Sequence, residues 1–161
     1  MSLVIGVTIN YRAATLTCEL NDPIRVSPFF VQPIFRDDGF FMLISQFMEP
    51  THFCLAYLED YKLDAARAQP LLTLSVFDDY SEDKDLTLVR VDVLNKGISD
   101  DEGYKVARSI CDAYLIDDEY MAVHAFNKKP SSFDFDEHIA KQNEKWRESK
   151  GDAGDGDGEQ P

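Results

Sequence analysis

The stretch Phe29–Leu58, FFVQPIFRDDGFFMLISQFMEPTHFCLAYL, decides the fold. Phe29 to Phe35 is one extended run. Arg36-Asp37-Asp38-Gly39 interrupts it with a polar, glycine-ended break of the kind a tight hairpin needs. Phe40 to Met48 then places Phe41, Leu43 and Phe47 on one alternating face and Phe40, Met42, Ile44 and Met48 on the other. A strand apolar on both faces implies a sheet covered on both sides. Glu49-Pro50 is the next break, and His52 to Leu58 returns as a third strand. Pro28, Pro33, Gly39 and Pro50 argue against a buried helix, because each would break one. The expectation is a three-stranded meander at the centre of a sheet.

Upstream, Leu3–Ile9 and Leu16–Leu20 read as a hairpin turning at Asn10–Ala13, and Asn21–Pro28, with two prolines, reads as a connecting loop. Downstream, Glu59–Ala68 has the composition of one or two helical turns, ended by Pro70. Leu71–Phe77 alternates as a half-buried strand. Asp78–Asp85 is an acidic connection. Leu86–Leu94 is the clearest strand, with Val89, Val91 and Val93 inward and Leu88, Arg90 and Asp92 outward. Ser99 and Glu102 form a capping box that starts a long helix over Asp100–Leu115. Tyr104, Ala107, Ile110, Cys111 and Tyr114 share one of its faces. Tyr120–Phe126 reads as the last strand, Asn127–Ser132 as a turn, and a second helix follows Asp134 and Asp136 to about Trp146. The fold class expected is α+β: one domain over residues 1–148, with a single, largely antiparallel (or mixed) sheet of about six or seven strands and helices packed on it. Residues 149–161, rich in Gly and Asp, are expected to form a disordered acidic tail.

Composition narrows the function. Hydrophobic residues make up 44% of the 161 and aromatics 12%, enough for a core. Acidic residues outnumber basic ones 30 to 16, a net charge of −14. That field repels phosphate backbones and anionic bilayers, so neither nucleic acid nor membrane insertion is expected, and it favours a monomer. No apolar run approaches the roughly 18 residues a membrane span needs. Met1–Leu20 has neither the basic start and small-residue cleavage site of a signal peptide nor the Arg- and Ser-rich texture of a transit peptide. Cys18, Cys54 and Cys111 are far apart, as in a reducing compartment.

The residues that carry chemistry are sparse. His52 and Cys54 lie two apart on one strand face, a geometry zinc uses, yet no CxxC or HxxxH accompanies them; an edge histidine and a core cysteine is the plainer reading. A cysteine nucleophile with His124 or His138 as base has no local marker. The acidic pairs at Asp37-Asp38, Asp78-Asp79, Glu82-Asp83, Asp100-Asp101-Glu102 and Asp117-Asp118-Glu119 fall in loops or at a helix start, where solvation or capping explains them. Asp152–Gly158 resembles part of a calcium loop but lacks the acid at the twelfth position. GxGxxG, GxxxxGK, GxSxG and HExxH are absent. No catalytic residue, metal site or cofactor is therefore expected.

The order of the joints resembles the mitochondrial ATP synthase F1 assembly factor family, the chaperones of the catalytic β subunit. The resemblance rests on Phe30-Val31-Gln32-Pro33, Arg36, Gly39 and Gln46, then Thr51-His52-Phe53 and Ala65-Ala66-Arg67-Ala68. It continues through Lys84 before the Leu86–Val93 strand, Val106 to Tyr114, and Phe126-Asn127, Pro130 and Phe133. It covers about Phe29 to Ile139. Family members carry a transit peptide and a helical N-terminal part, where this chain reads as β. The resemblance implies a sheet flanked by helices, no cofactor, a mitochondrial matrix location, and a protein that holds unassembled β subunit until the α subunit replaces it. Such a role calls for an apolar patch rimmed by charge. Phe29, Phe35, Phe40 and Phe133 are the candidate apolar contacts, and Arg36 the candidate orienting cation. Two other readings stand beside this one. An acidic adaptor or inhibitor domain would bind another partner. An enzyme with an unmarked carboxylate or cysteine site would show a deep polar pocket at Cys54 or His124.

Overall fold

The computed structural model describes residues 4–7, 21–77, 79 and 87–149. Among them, six strands form one antiparallel sheet: β1 Val4–Val7, β2 Phe29–Arg36, β3 Gly39–Met48, β4 His52–Tyr57, β5 Pro70–Phe77 and β6 Leu88–Val93. Its spatial order is β1-β6-β5-β4-β3-β2. Among the described residues five helices accompany it: α1 Asn21–Val26, α2 Leu58–Leu63, α3 Asp100–Leu115, α4 Asp117–Lys128 and α5 Phe135–Ser149, with a 3-10 turn at Pro130–Ser132. The α+β class and the strand count are as expected.

The meander β2-β3-β4 is present, but β2 is an edge strand, so the meander sits at one side of the sheet rather than at its centre. The register Arg36↔Gly39 closes the first hairpin over Asp37-Asp38. Gly39 there has φ of +145°, a conformation that a side chain disfavours. β1 pairs with β6, with Ile5 opposite Val91. The expected partner of β1, Leu16–Leu20, lies outside the described residues, as do the acidic connection, apart from Asp79, and the C-terminal tail beyond Ser149, which itself is the last residue of α5 rather than the first of the tail.

Two expectations need correction. Tyr120–Phe126 is not a strand but the body of α4. Three acids, Asp117, Asp118 and Glu119, occupy its first turn at the positive helix end. Val123 is its buried residue, and Tyr120, Val123 and Phe126 recur at helical spacing, a period the short Ala-Val-His-Ala alternation disguised. Ile116, extended at φ −99° and ψ 119°, divides α4 from α3. The presumed loop Asn21–Pro28 likewise begins as α1. Pro23 lies in its first turn, where a missing N–H costs nothing.

One face of the sheet is closed. Phe30, Ile34, Leu43, Phe53, Leu55, Leu72, Leu74, Val89 and Val91 bury against Val106, Ala107 and Ile110 of α3, Val123 of α4 and Trp146 of α5. Each large side chain so removed from water contributes on the order of 1.5–3 kcal/mol before entropy. α3 approaches β6 closely: a Cβ on Gly103 would stand 2.9 Å from Val93 Cγ2. Its start is fixed by the expected capping box, with the Glu102 N–H donating to Ser99 Oγ at 3.2 Å and the Ser99 N–H to Glu102 Oε2 at 2.8 Å.

The exposed edge of β2 is sealed by side chains. The Phe29 N–H donates to Asn127 Oδ1 at 3.1 Å, and Asn127 Nδ2 donates back to the Phe29 carbonyl at 2.5 Å. Asn127 thus copies the paired bonds of a neighbouring strand. Two residues on, His138 Nε2 donates to the Val31 carbonyl at 3.0 Å. Pro33, next in that outward series, has no N–H to offer. Sealed in this way, the edge gives other chains little to pair with.

Candidate functional site: the open face and its border

The second face of the sheet is only partly covered. Along β3 its side chains are Phe40, Met42, Ile44, Gln46 and Met48, as the alternation predicts. α2, the helix that follows β4, packs Leu58 over Val31 and Ile44, with Tyr61 beside them; Phe126 and Phe133 reach the β2 margin. A six-residue helix is too short to cover a ten-residue strand. Phe40 therefore stays 50% exposed at one end of the row and Met48 52% exposed at the other, with Met42 half-buried between. The expectation of a sheet covered on both faces thus fails at the ends of β3. Across β4 and β5 the face turns polar: His52 Nδ1 and Ser75 Oγ are 3.0 Å apart, and Cys54 is half-buried nearby.

The five candidate contact residues fall into different environments. Phe40 is the exposed one. Phe35 is half-buried, 5.9 Å from the Phe40 ring and 5.9 Å from that of Trp146. Phe29 is half-buried at the β2 margin. Phe133 packs edge-on against Phe126, at 5.3 Å, and Phe135, at 4.9 Å. Arg36 projects to the closed face and spans to the start of α3. Its Nε donates to Glu102 Oε1 at 2.8 Å, and its Nη2 to Glu102 Oε2 at 3.1 Å and to the Gly97 carbonyl at 2.6 Å. The guanidinium also lies 4.9 Å above the Phe41 ring. So Arg36 is not paired in solvent with Asp37 or Asp38. It clamps the end of the β2–β3 hairpin to a helix 66 residues away. Burial pushes the Glu102 carboxyl up, but the hydrogen bonds from Arg36 and Ser99 outweigh it and hold it below the ordinary carboxylate range.

The remaining chemical candidates stand apart from one another. No group of three or more His, Cys, Asp or Glu among the described residues is arranged to hold a metal, so His52 and Cys54 gain no further ligand there. Burial raises the Cys54 thiol and pushes that of Cys111 up to about 12, which keeps both protonated and poorly nucleophilic. Burial also lowers His138 below its usual range, despite the Val31 hydrogen bond. A cleft of about 660 Å³ opens between α3 and α5, and neither Cys54 nor His124 lines it. Its charges are largely matched within the chain: Lys105 Nζ meets Asp101 at 2.7 Å, and Lys145 Nζ meets Glu119 at 2.7 Å. Among the described residues, no helix is long and apolar enough to cross a membrane.

Sequence reasoning missed three structural features of this surface. Met42 and Met48 read as interior because the shortness of α2 was not weighed against the length of β3. Glu102 read only as a cap, since nothing local announces a partner so distant. Asn127 read as a turn residue. Comparison with curated proteins finds no match. The family model described as ATP11 protein matches residues 18–139, well over half of the chain. That span contains the edge-sealed β2, the row on β3 and the Arg36–Glu102 clamp, and the chain belongs to the ATP11 family of F1 ATP synthase assembly factors.

Proposed function

We propose that this chain is a chaperone of the mitochondrial matrix that binds the unassembled β subunit of the ATP synthase catalytic head and keeps it from aggregating until the α subunit takes its place. Family membership supports an ATP synthase subunit as partner. The observation that carries the reading further is the uncovered apolar row on β3, with Phe40 and Met48 half in solvent on an otherwise strongly acidic protein. A holding chaperone needs apolar surface to offer and charge enough to stay dispersed itself. In this reading Phe40 touches the client directly and Phe35 braces it. Phe29 and Phe133 flank the far margin, and Arg36 fixes the hairpin that presents Phe40. The test is light scattering of β subunit diluted from urea, with and without an equimolar amount of this chain. Suppressed scattering and a co-eluting complex are expected. Unchanged scattering, with another mitochondrial protein retained instead, defeats the reading in favour of an acidic adaptor.

A further inference from the structure

We infer that the Phe40–Met42–Met48 row is a docking face for an amphipathic segment whose apolar side chains are flanked by lysines or arginines, the form in which the client is held. This rests on the chaperone reading above and adds the site and the chemistry of what occupies it.

The shape of the face comes first. The row lies along one strand and is covered at its centre by α2, which leaves Phe40 open at one end and Met48, beside Gln46, open at the other. α2 itself carries Leu63, 86% exposed. Of the five side chains along this face of β3, Ile44 is buried and Gln46 is polar; methionines supply two of the three apolar ones left open to solvent, Phe40, Met42 and Met48. Their unbranched, polarizable side chains repack against varied partners at small cost, which suits the capture of non-native surface.

The charge around the row selects the flanks. Asp37 and Asp38 stand exposed in the turn beside Phe40, Glu49 is exposed beside Met48, and Glu59 and Asp60 are exposed on the first turn of α2. Cations answer only some of them. Lys62 reaches Glu59 at 3.0 Å and Arg25 reaches Glu49 at 3.5 Å, both at exposed positions where ion pairs contribute little. Arg36 feels Asp38, but its donors are committed to Glu102 and Gly97. The border of the row is therefore net acidic. An acidic border favours basic flanks on the partner and repels acidic ones, which gives selectivity as well as speed of encounter.

The experiment uses the full chain and two fluorescent amphipathic helical peptides of about 18 residues, one built from Leu and Lys and one from Leu and Glu, read by anisotropy at physiological salt. The Leu/Lys peptide should bind at least ten-fold more tightly than the Leu/Glu peptide. Phe40→Ser with Met48→Ser should weaken Leu/Lys binding at least ten-fold. Asp37→Lys with Asp38→Lys should narrow the difference between the peptides. Met121→Ser, which alters a side chain 69% exposed on α4, should change nothing. Circular dichroism confirms that each variant is folded. Equal binding by the Phe40/Met48 variant, or equal affinity for the two peptides, overturns the docking face. Capture of β subunit is read in parallel: intact peptide selectivity with no capture defeats the client assignment and leaves the docking face standing, whereas capture unaffected by the double substitution defeats the face and leaves the client.

Discussion

β3 has two apolar faces of nearly equal strength in the sequence and very different outcomes in the fold. Phe41, Leu43 and Phe47 meet a sixteen-residue helix and a continuous core; Phe40, Met42 and Met48 meet a six-residue helix and, at the ends, water. The difference lies outside the strand. What covers a face depends on the length of elements that arrive later in the chain, so alternation reports capacity for burial rather than burial itself. An assembly factor can use that gap: one face holds the protein together and leaves the other available.

Substitutions probe the contrast, and the largest effect belongs to the closed face. Leu55→Ala, at a side chain with no exposure, should lower unfolding free energy by about 2–5 kcal/mol in a denaturant titration while leaving client capture per folded molecule unchanged. If capture falls in step with stability, the two faces are not separable. Next is the sealed edge. Asn127→Leu strips the Phe29 N–H and carbonyl of their partners, which should cost about 1–3 kcal/mol and produce concentration-dependent association visible by light scattering. Destabilisation with a strictly monomeric product would show that α4 and α5 seal the edge without it. At the hairpin, Gly39→Val forces a side chain onto a positive φ and should cost about 1–2 kcal/mol, measured the same way.

The pH effect is smaller. The folded-state pKa of His138 is depressed by burial, so the unfolded chain takes up a proton first as pH falls through about 6.5. Stability should decline below that pH in the wild type and stay flatter in His138→Gln, whose amide still donates to the Val31 carbonyl. The decline below about pH 4.5, where Glu102 and Glu119 of the unfolded chain take up protons before the lowered carboxyls of the folded one, should remain in both. Smallest of all, Phe40→Ser should shift stability by no more than about 0.5 kcal/mol, because half of that ring already faces water. A loss of 2 kcal/mol or more would place Phe40 in the core and close the open face.

Much of the fold was legible because it is written locally. The breaks at Gly39 and Pro50, the valine alternation of β6 and the Ser99–Glu102 box each use neighbouring residues, and each stands where expected. α4 was misread because the short window Ala122–Phe126 satisfies both periods, and the acids of its first turn look like loop acids until the helix before them is seen to end at Ile116. The candidate site was half legible. Phe40 could be named only as one of four candidate aromatics, because its exposure depends on α2. Arg36 could be singled out as an unusual cation, but its partner lies 66 positions away. Contacts of that span leave no mark in composition or spacing.

Glu102 has a consequence for the cost of joining the hairpin to α3. Its carboxylate accepts from the Ser99 N–H three residues away and from Arg36 66 residues away. Closing a loop of that span costs chain entropy, and ordering the side chains that meet at its ends costs more. A carboxylate held by its own helix start lowers the second cost, so the contact need order only the arginine. One side chain thus joins a bond within its own turn to a bond across the fold, and the distant one inherits the precision of the near one.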